Sequence, residues 1–160
     1  MPAPMEYYHA TEQFENFMLD ARDAANLNTT NMAWNMVVGV LQAFRRRLSV
    51  VDALKFANVL PPGIRALFVA DWDANEAIKA FSPPEALLDE IRSVRRQHNF
   101  SPDNAHEAVV IALRKNVNTE VLDRTLLAIS VEAYQFWHLS DSVLKDSPFN
   151  RELKIHYKGR

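Results

Sequence analysis

The sequence predicts an all-α protein, a single helical domain built from two tandem, pseudo-two-fold-related units of about four helices each. Three observations predict it. Apolar residues recur three and four positions apart along most of the chain. Ser, Thr, Asn and Pro stand where helices would begin. A shift of 69 residues lays the second half of the pattern over the first.

Taken in order, Thr11 opens a first helix over roughly 11–26, with Phe14, Phe17, Met18, Ala21 and Ala24 at helical spacing. Thr29 or Thr30 caps a second, which carries Ala33, Met36, Val37, Val40, Leu41 and Phe44. The run Met36–Leu41 alone reads equally as a buried strand, but its flanks keep the period of 3.6. Gly39 marks a close helix contact within it. Arg45, Arg46 and Arg47 end this helix, where cations suit the dipole. Ser49 caps a third helix over about 50–59, expected to bury Val51, Leu54 and Ala57. Leu60-Pro61-Pro62-Gly63 breaks it, and Pro62 opens a fourth helix with Ile64, Leu67 and Phe68. Asp71 to Ala80 is a connector. Ser82 with Glu85 reads as a capping box before Leu87, Leu88, Ile91 and Val94. Ser101 starts a helix with Ala108, Val109, Ala112 and Leu113, Asn118 caps the next, and Ser130 caps the last, with Ala133, Phe136 and Trp137.

At the shift of 69, Val40 meets Val109, Phe44 meets Leu113, Ser49 meets Asn118 and Phe68 meets Trp137, without a gap from Val40 to Phe68. Upstream the shift becomes 70 at Phe17-Met18 against Leu87-Leu88, then 73 at Thr29-Thr30 against Pro102-Asp103. Units of that size lie near the lower limit for an independent core, so the halves are expected to pack together and to depend on each other. The expected organisation is a tail over 1–10, the duplicated domain over 11–138 with units of about 11–72 and 82–138, and a partly basic extension over 139–160.

Composition narrows the chemistry. The 160 residues include no cysteine, which excludes disulfides, thiol nucleophiles and thiolate metal sites. Three glycines leave no phosphate-binding glycine loop. Net charge is −2, with 7 basic and 9 acidic residues in positions 1–80 and 11 of each in 81–160. Neither half is a basic domain, so nucleic acid is disfavoured as a partner. The first residues show no secretory signal and no apolar run reaches a membrane span's length, so no membrane association and a cytoplasmic location are expected.

The chain resembles an uncharacterised bacterial family, domain of unknown function 2267. The resemblance rests on Val40-Leu41-Gln42-Ala43-Phe44, Arg47-Leu48, Asp52-Ala53, Leu60-Pro61-Pro62-Gly63-Ile64-Arg65 and Phe68-Val69-Ala70-Asp71-Trp72-Asp73. It spans about residues 12–138; the second copy departs from it in having Ser130-Val131 where the first has Pro61-Pro62. It implies a small soluble bacterial helical protein and no catalytic residues.

Among candidates for chemistry, His106-Glu107 begins like HExxH, but position 110 is Val. His98, Asp103 and His106 read as loop polars before they read as metal ligands. No Ser lies in GxSxG, and Ser49, Ser82, Ser101 and Ser130 are explained as caps. No catalytic residue, cofactor or metal is therefore expected. The candidate partner surface is Arg45, Arg46, Arg47, Trp72, Arg95, Arg96, Arg114 and Lys115, in which Arg45 and Arg46 match Arg114 and Lys115 in the repeat. Trp72, flanked by Asp71 and Asp73, is expected to pack across the seam between the halves. The expected function is a non-catalytic protein-interaction or regulatory module, self-association included. The alternatives are a nucleic-acid binder using the paired basic helix ends and a small-ligand carrier or enzyme with a pocket between the repeats.

Overall fold

A computed structural model describes residues 3–139. Within them the chain forms nine α-helices, one 3-10 turn and no strand. The helices are α1 (Met5–Tyr8), α2 (Ala10–Ala24), α3 (Thr30–Arg45), α4 (Val50–Ala57), α5 (Pro62–Val69), α6 (Pro84–Ser93), α7 (Ala105–Lys115), α8 (Thr119–Ile129) and α9 (Val131–Phe136), with the 3-10 turn at Arg96–His98. The eight expected helices are α2 to α9; α1 lies in the segment read as a tail. Among the described residues no helix is long and apolar enough to cross a membrane. The extension over 139–160 lies outside the described residues except for Leu139, which is buried.

Local chemistry sets most helix starts. Thr29, Ser49, Asn118 and Ser130 each accept a bond from the backbone N–H three residues on, which satisfies one of a helix's orphan donors. Pro62 and Pro84 occupy first-turn positions that need no donor. Ser82 and Ser101 are not caps. Pro83 takes the cap position of α6, and Ser82 Oγ accepts instead from Arg47 at 2.9 Å. Ser101 bonds Asn99 through its hydroxyl and its backbone N–H, and the Asn99 amide closes the end of α6 by donating to Ile91 and Val94 carbonyls. The end of α4 is closed by Arg65, which donates to the Ala57 and Leu60 carbonyls, both at 2.9 Å.

The layers interlock in space. α2 packs on α7 and α3, α3 on α6, and α4 on α8. The core gathers Phe17, Met36, Leu41, Phe44, Phe56, Ile64, Phe68, Ile91, Leu113, Leu122 and Trp137, all buried. Its centre is aromatic: Phe56 stacks on Trp137 at 5.6 Å and meets Phe44 and Phe68 edge-on at 4.8 and 5.0 Å. Such offset and edge-on pairs suit ring quadrupoles.

One expectation for α4 fails. Val51 and Leu54 are 64% and 53% exposed, and Ala53, Phe56 and Ala57 face inward. Asp52 and Lys55 give this helix one narrow polar side and apolar residues cover the rest, so its periodicity did not choose between the edge at Val51 and Leu54 and the edge at Ala53 and Phe56. Phe56 has the largest apolar surface to hide, and the aromatic centre takes it.

Gly39 does mark a close contact. A Cβ there would lie 2.6 Å from the Ile91 carbonyl oxygen, a backbone atom of α6. Alanine would gain about 1 kcal/mol of helix propensity. Overpacking costs about 1–3 kcal/mol, and more when backbone must move. Gly39→Ala is therefore expected to lower the urea midpoint, and an unchanged or raised midpoint would mean that α3 and α6 separate readily.

Candidate functional site

Consecutive residues on a helix point about 100° apart, so three arginines in a row cannot share a face. At the end of α3 they take three different environments. Arg45 is 3% exposed, and its Nη1 donates to the Phe68 and Ala70 carbonyls at 2.8 and 2.9 Å, closing the end of α5. Its guanidinium lies 5.5 Å from the Trp72 ring centre, a cation–π contact. Burial and the neighbouring Arg46 push its pKa down, against the pull of Glu76 and Asp71. Arg47 is also buried; it donates to the Ala43 carbonyl at 2.7 Å, to Ser82, and to Glu90 at 2.7 Å. Arg46 is half-buried between Glu90 at 3.3 Å and Glu76 at 3.5 Å. Lys79 Nζ adds a third cation 3.5 Å from Glu90. Burial pushes the Glu90 carboxyl up, but the Arg47 bond and the three charges outweigh it and hold it below its ordinary range.

In the second half, Arg114 grips Asp123 through two bonds of 2.8 and 2.9 Å and donates to the Trp137 carbonyl at 3.0 Å. That pairing raises the Arg114 pKa and lowers that of Asp123. Lys115 reaches Asp20 at 3.3 Å. Arg96 pairs with Asp89 at 3.6 Å in solvent, and Arg95 is exposed in the left-handed region at φ 49°.

The eight residues therefore do not form one surface. Arg45 and Arg47 are interior, because helix-end carbonyls and Glu90 need their donors. Arg114 and Lys115 are held in internal ion pairs, and Arg95 and Arg96 lie in the turn after α6. The structure brings Arg45, Arg46 and Trp72 together around one recess of about 170 Å³, which Leu48, Glu76 and Ile78 also line. Trp72 is half-buried; its cation–π partner and the residues that share its recess belong to the first half and the connector, not to the other side of a seam. Asp71 and Asp73 are exposed, as expected.

A second concavity escaped the sequence reading. A groove of about 390 Å³ between α2 and α3 is lined by Phe14, Glu15, Met18, Leu19, Asn31 and Trp34. Trp34 is 41% exposed, and Phe14 meets it edge-on at 6.0 Å. The signal was present: Ala33, Met36, Val37 and Val40 form the buried stripe of α3, and Trp34 falls beside it.

Among the described residues no three His, Asp or Glu side chains are grouped to hold a metal ion. His106 Nε2 lies 2.8 Å from the Phe136 carbonyl, to which it donates; burial pushes its pKa down, and that bond pulls it part of the way back.

Among curated proteins none matches the chain. Residues 14–135, more than half of the chain and the whole of the interlocked region from mid-α2 into α9, match the family described as Uncharacterized conserved protein (DUF2267). With that coverage the chain belongs to the DUF2267 family.

Proposed function

We propose that the chain is a duplicated, pseudo-two-fold helical module, that it is non-catalytic, and that it holds a protein partner at the groove beside Trp34. The duplication is supported by bonds that recur at the repeat spacing. Arg45 donates to Phe68, and its match Arg114 donates to Trp137, the match of Phe68. Arg47 and its match Asn116 donate back to Ala43 and Ala112, four residues earlier in each helix. Arg46 and Arg47 reach Glu90 of α6, while Lys115 and Asn116 reach Asp20 of α2, the match of Glu90 at the shift of 70. The first helix of each unit packs on the second helix of the other, α2 on α7 and α6 on α3.

The interaction reading is carried by one observation, an indole 41% exposed in an open apolar groove. Exposed aromatics in such settings are the anchors on which interfaces concentrate their energy. The groove suits apolar side chains from one face of a partner helix, with Glu15 and Asn31 at its rim. A bacterial cytoplasm goes with this reading, on the absence of cysteine and on the family resemblance. Nucleic acid is not favoured, since the paired basic helix ends are bonded internally.

Trp34→Ala is expected to abolish co-purification of a partner from native cells while moving the thermal midpoint little. The same proteins retained by both forms would reject the groove. Sedimentation of the two forms separates a second copy of the chain from a different partner.

A further inference from the structure

The two matched arginines differ in one respect. Arg114 has a carboxylate, Asp123, on both of its terminal nitrogens. Arg45, more deeply buried, has no carboxylate within ion-pair distance among the described residues, and its Nε is shut off from water with no acceptor. At the repeat spacing the match of Asp123 is Leu54. A buried guanidinium strongly favours an anion, and planar carboxylates suit it best. Arg45 lines the recess of about 170 Å³, whose other walls include the Trp72 ring, Leu48 and Ile78, the last 62% exposed. Arg46 lines it too, already paired with Glu76, the one acidic lining residue, at 3.5 Å and with Glu90 at 3.3 Å, so Arg45 is the cation there without a carboxylate partner within ion-pair distance among the described residues. A cavity of about 150 Å³ accommodates a benzene ring.

We propose that this recess binds a carboxylate carried on an apolar body of about one ring, with the carboxylate on the Arg45–Arg46 side and the body against Trp72, Leu48 and Ile78. The site is distinct from the Trp34 groove. A free acid and the terminal carboxylate of an apolar peptide share this chemistry.

The test is calorimetric titration of the full chain with phenylacetate, neutral phenylacetamide, inorganic phosphate, and a leucine-terminated peptide with its C-terminal amide. Phenylacetate is expected to saturate, about tenfold or more tighter than the amide, as a charge-assisted contact requires. A tighter peptide that loses binding on amidation would assign the carboxylate to a chain terminus. Ile78→Glu, at an exposed position, is expected to weaken phenylacetate about tenfold or more without moving the unfolding midpoint. Equal or absent binding of acid and amide, indifference to Ile78→Glu, or tighter binding of phosphate would overturn the proposal. Leu54→Asp rests on the repeat reading and is expected to supply the missing carboxylate, raising stability and weakening phenylacetate. Stabilisation without any wild-type binding keeps the repeat and rejects the ligand. Binding lost in Ile78→Glu but untouched by Leu54→Asp keeps the ligand and rejects the register.

Discussion

Trp137→Ala is expected to cost about 3–5 kcal/mol, the range for deleting a core aromatic. Trp137 is fully buried and meets Phe44, Phe56 and Phe136 at ring distances of 5.5, 5.6 and 5.3 Å. Those neighbours come from α3, α4 and α9, so the cavity would open where the two halves of the chain meet. Several elements would have to move together to fill it, and little collapse is expected. Trp137→Phe is the informative companion. The indole Nε1 is buried without a hydrogen-bond partner, and an unpaired buried donor costs about 1–3 kcal/mol. Phenylalanine removes that donor while keeping part of the stack and leaves a smaller void, so its loss is expected to be clearly smaller than that of alanine. Urea unfolding of the three proteins measures both. An alanine variant within 1 kcal/mol of wild type, by order of magnitude, would remove the aromatic centre from its proposed role.

Glu90→Ala is expected to be comparably severe, about 3–5 kcal/mol, because it strips the carboxylate from a buried guanidinium. Arg47 keeps its bonds to Ala43 and Ser82 but loses its counter-charge in the interior. The contributions of Arg46 and especially the exposed Lys79 are smaller and screened by salt. The same carboxylate gives a pH signature. Its folded pKa is depressed, so the unfolded chain binds the proton more readily, and stability rises with pH through that window. The contribution is present above the unfolded value of about 4.3 and is lost as pH falls through the lower folded value. Glu90→Gln is expected to flatten the fall in urea midpoint below about pH 5, leaving the slope that Asp123 supplies through its own depressed pKa. An undiminished slope in the glutamine variant would place the acid sensitivity elsewhere.

Legibility followed the range of each interaction. Ser49, Asn118 and Ser130 cap as the sequence predicts, and Thr29 takes the cap that the sequence left between Thr29 and Thr30, because a cap is a bond across three residues. Ser82 and Ser101 have the same local appearance, and distant or loop partners claimed them, Arg47 in one case and Asn99 in the other. Arg45 and Arg47 looked like a basic surface because a charge run is usually solvated. Their burial depends on carbonyls of Phe68 and Ala70 and on Glu90, residues 23 to 43 positions away. Trp34 carried no local mark of a groove, because a single residue of phase separates it from the buried stripe of α3.

By itself the sequence determined the all-α class, the order of α2 to α9, the Pro61-Pro62 break, the close contact at Gly39 and the family. Each of these rests on backbone preferences and neighbours within a few residues, or on a pattern repeated along the chain. Only the tertiary structure decided which face of α4 turns inward, which arginines are buried, and that Arg45 meets Trp72 at a recess while Arg114 meets Asp123. The reason is that burial of a charge or an aromatic depends on what stands across the interface. A guanidinium moves inward only where acceptors wait for it, and no periodicity along a single helix records their presence.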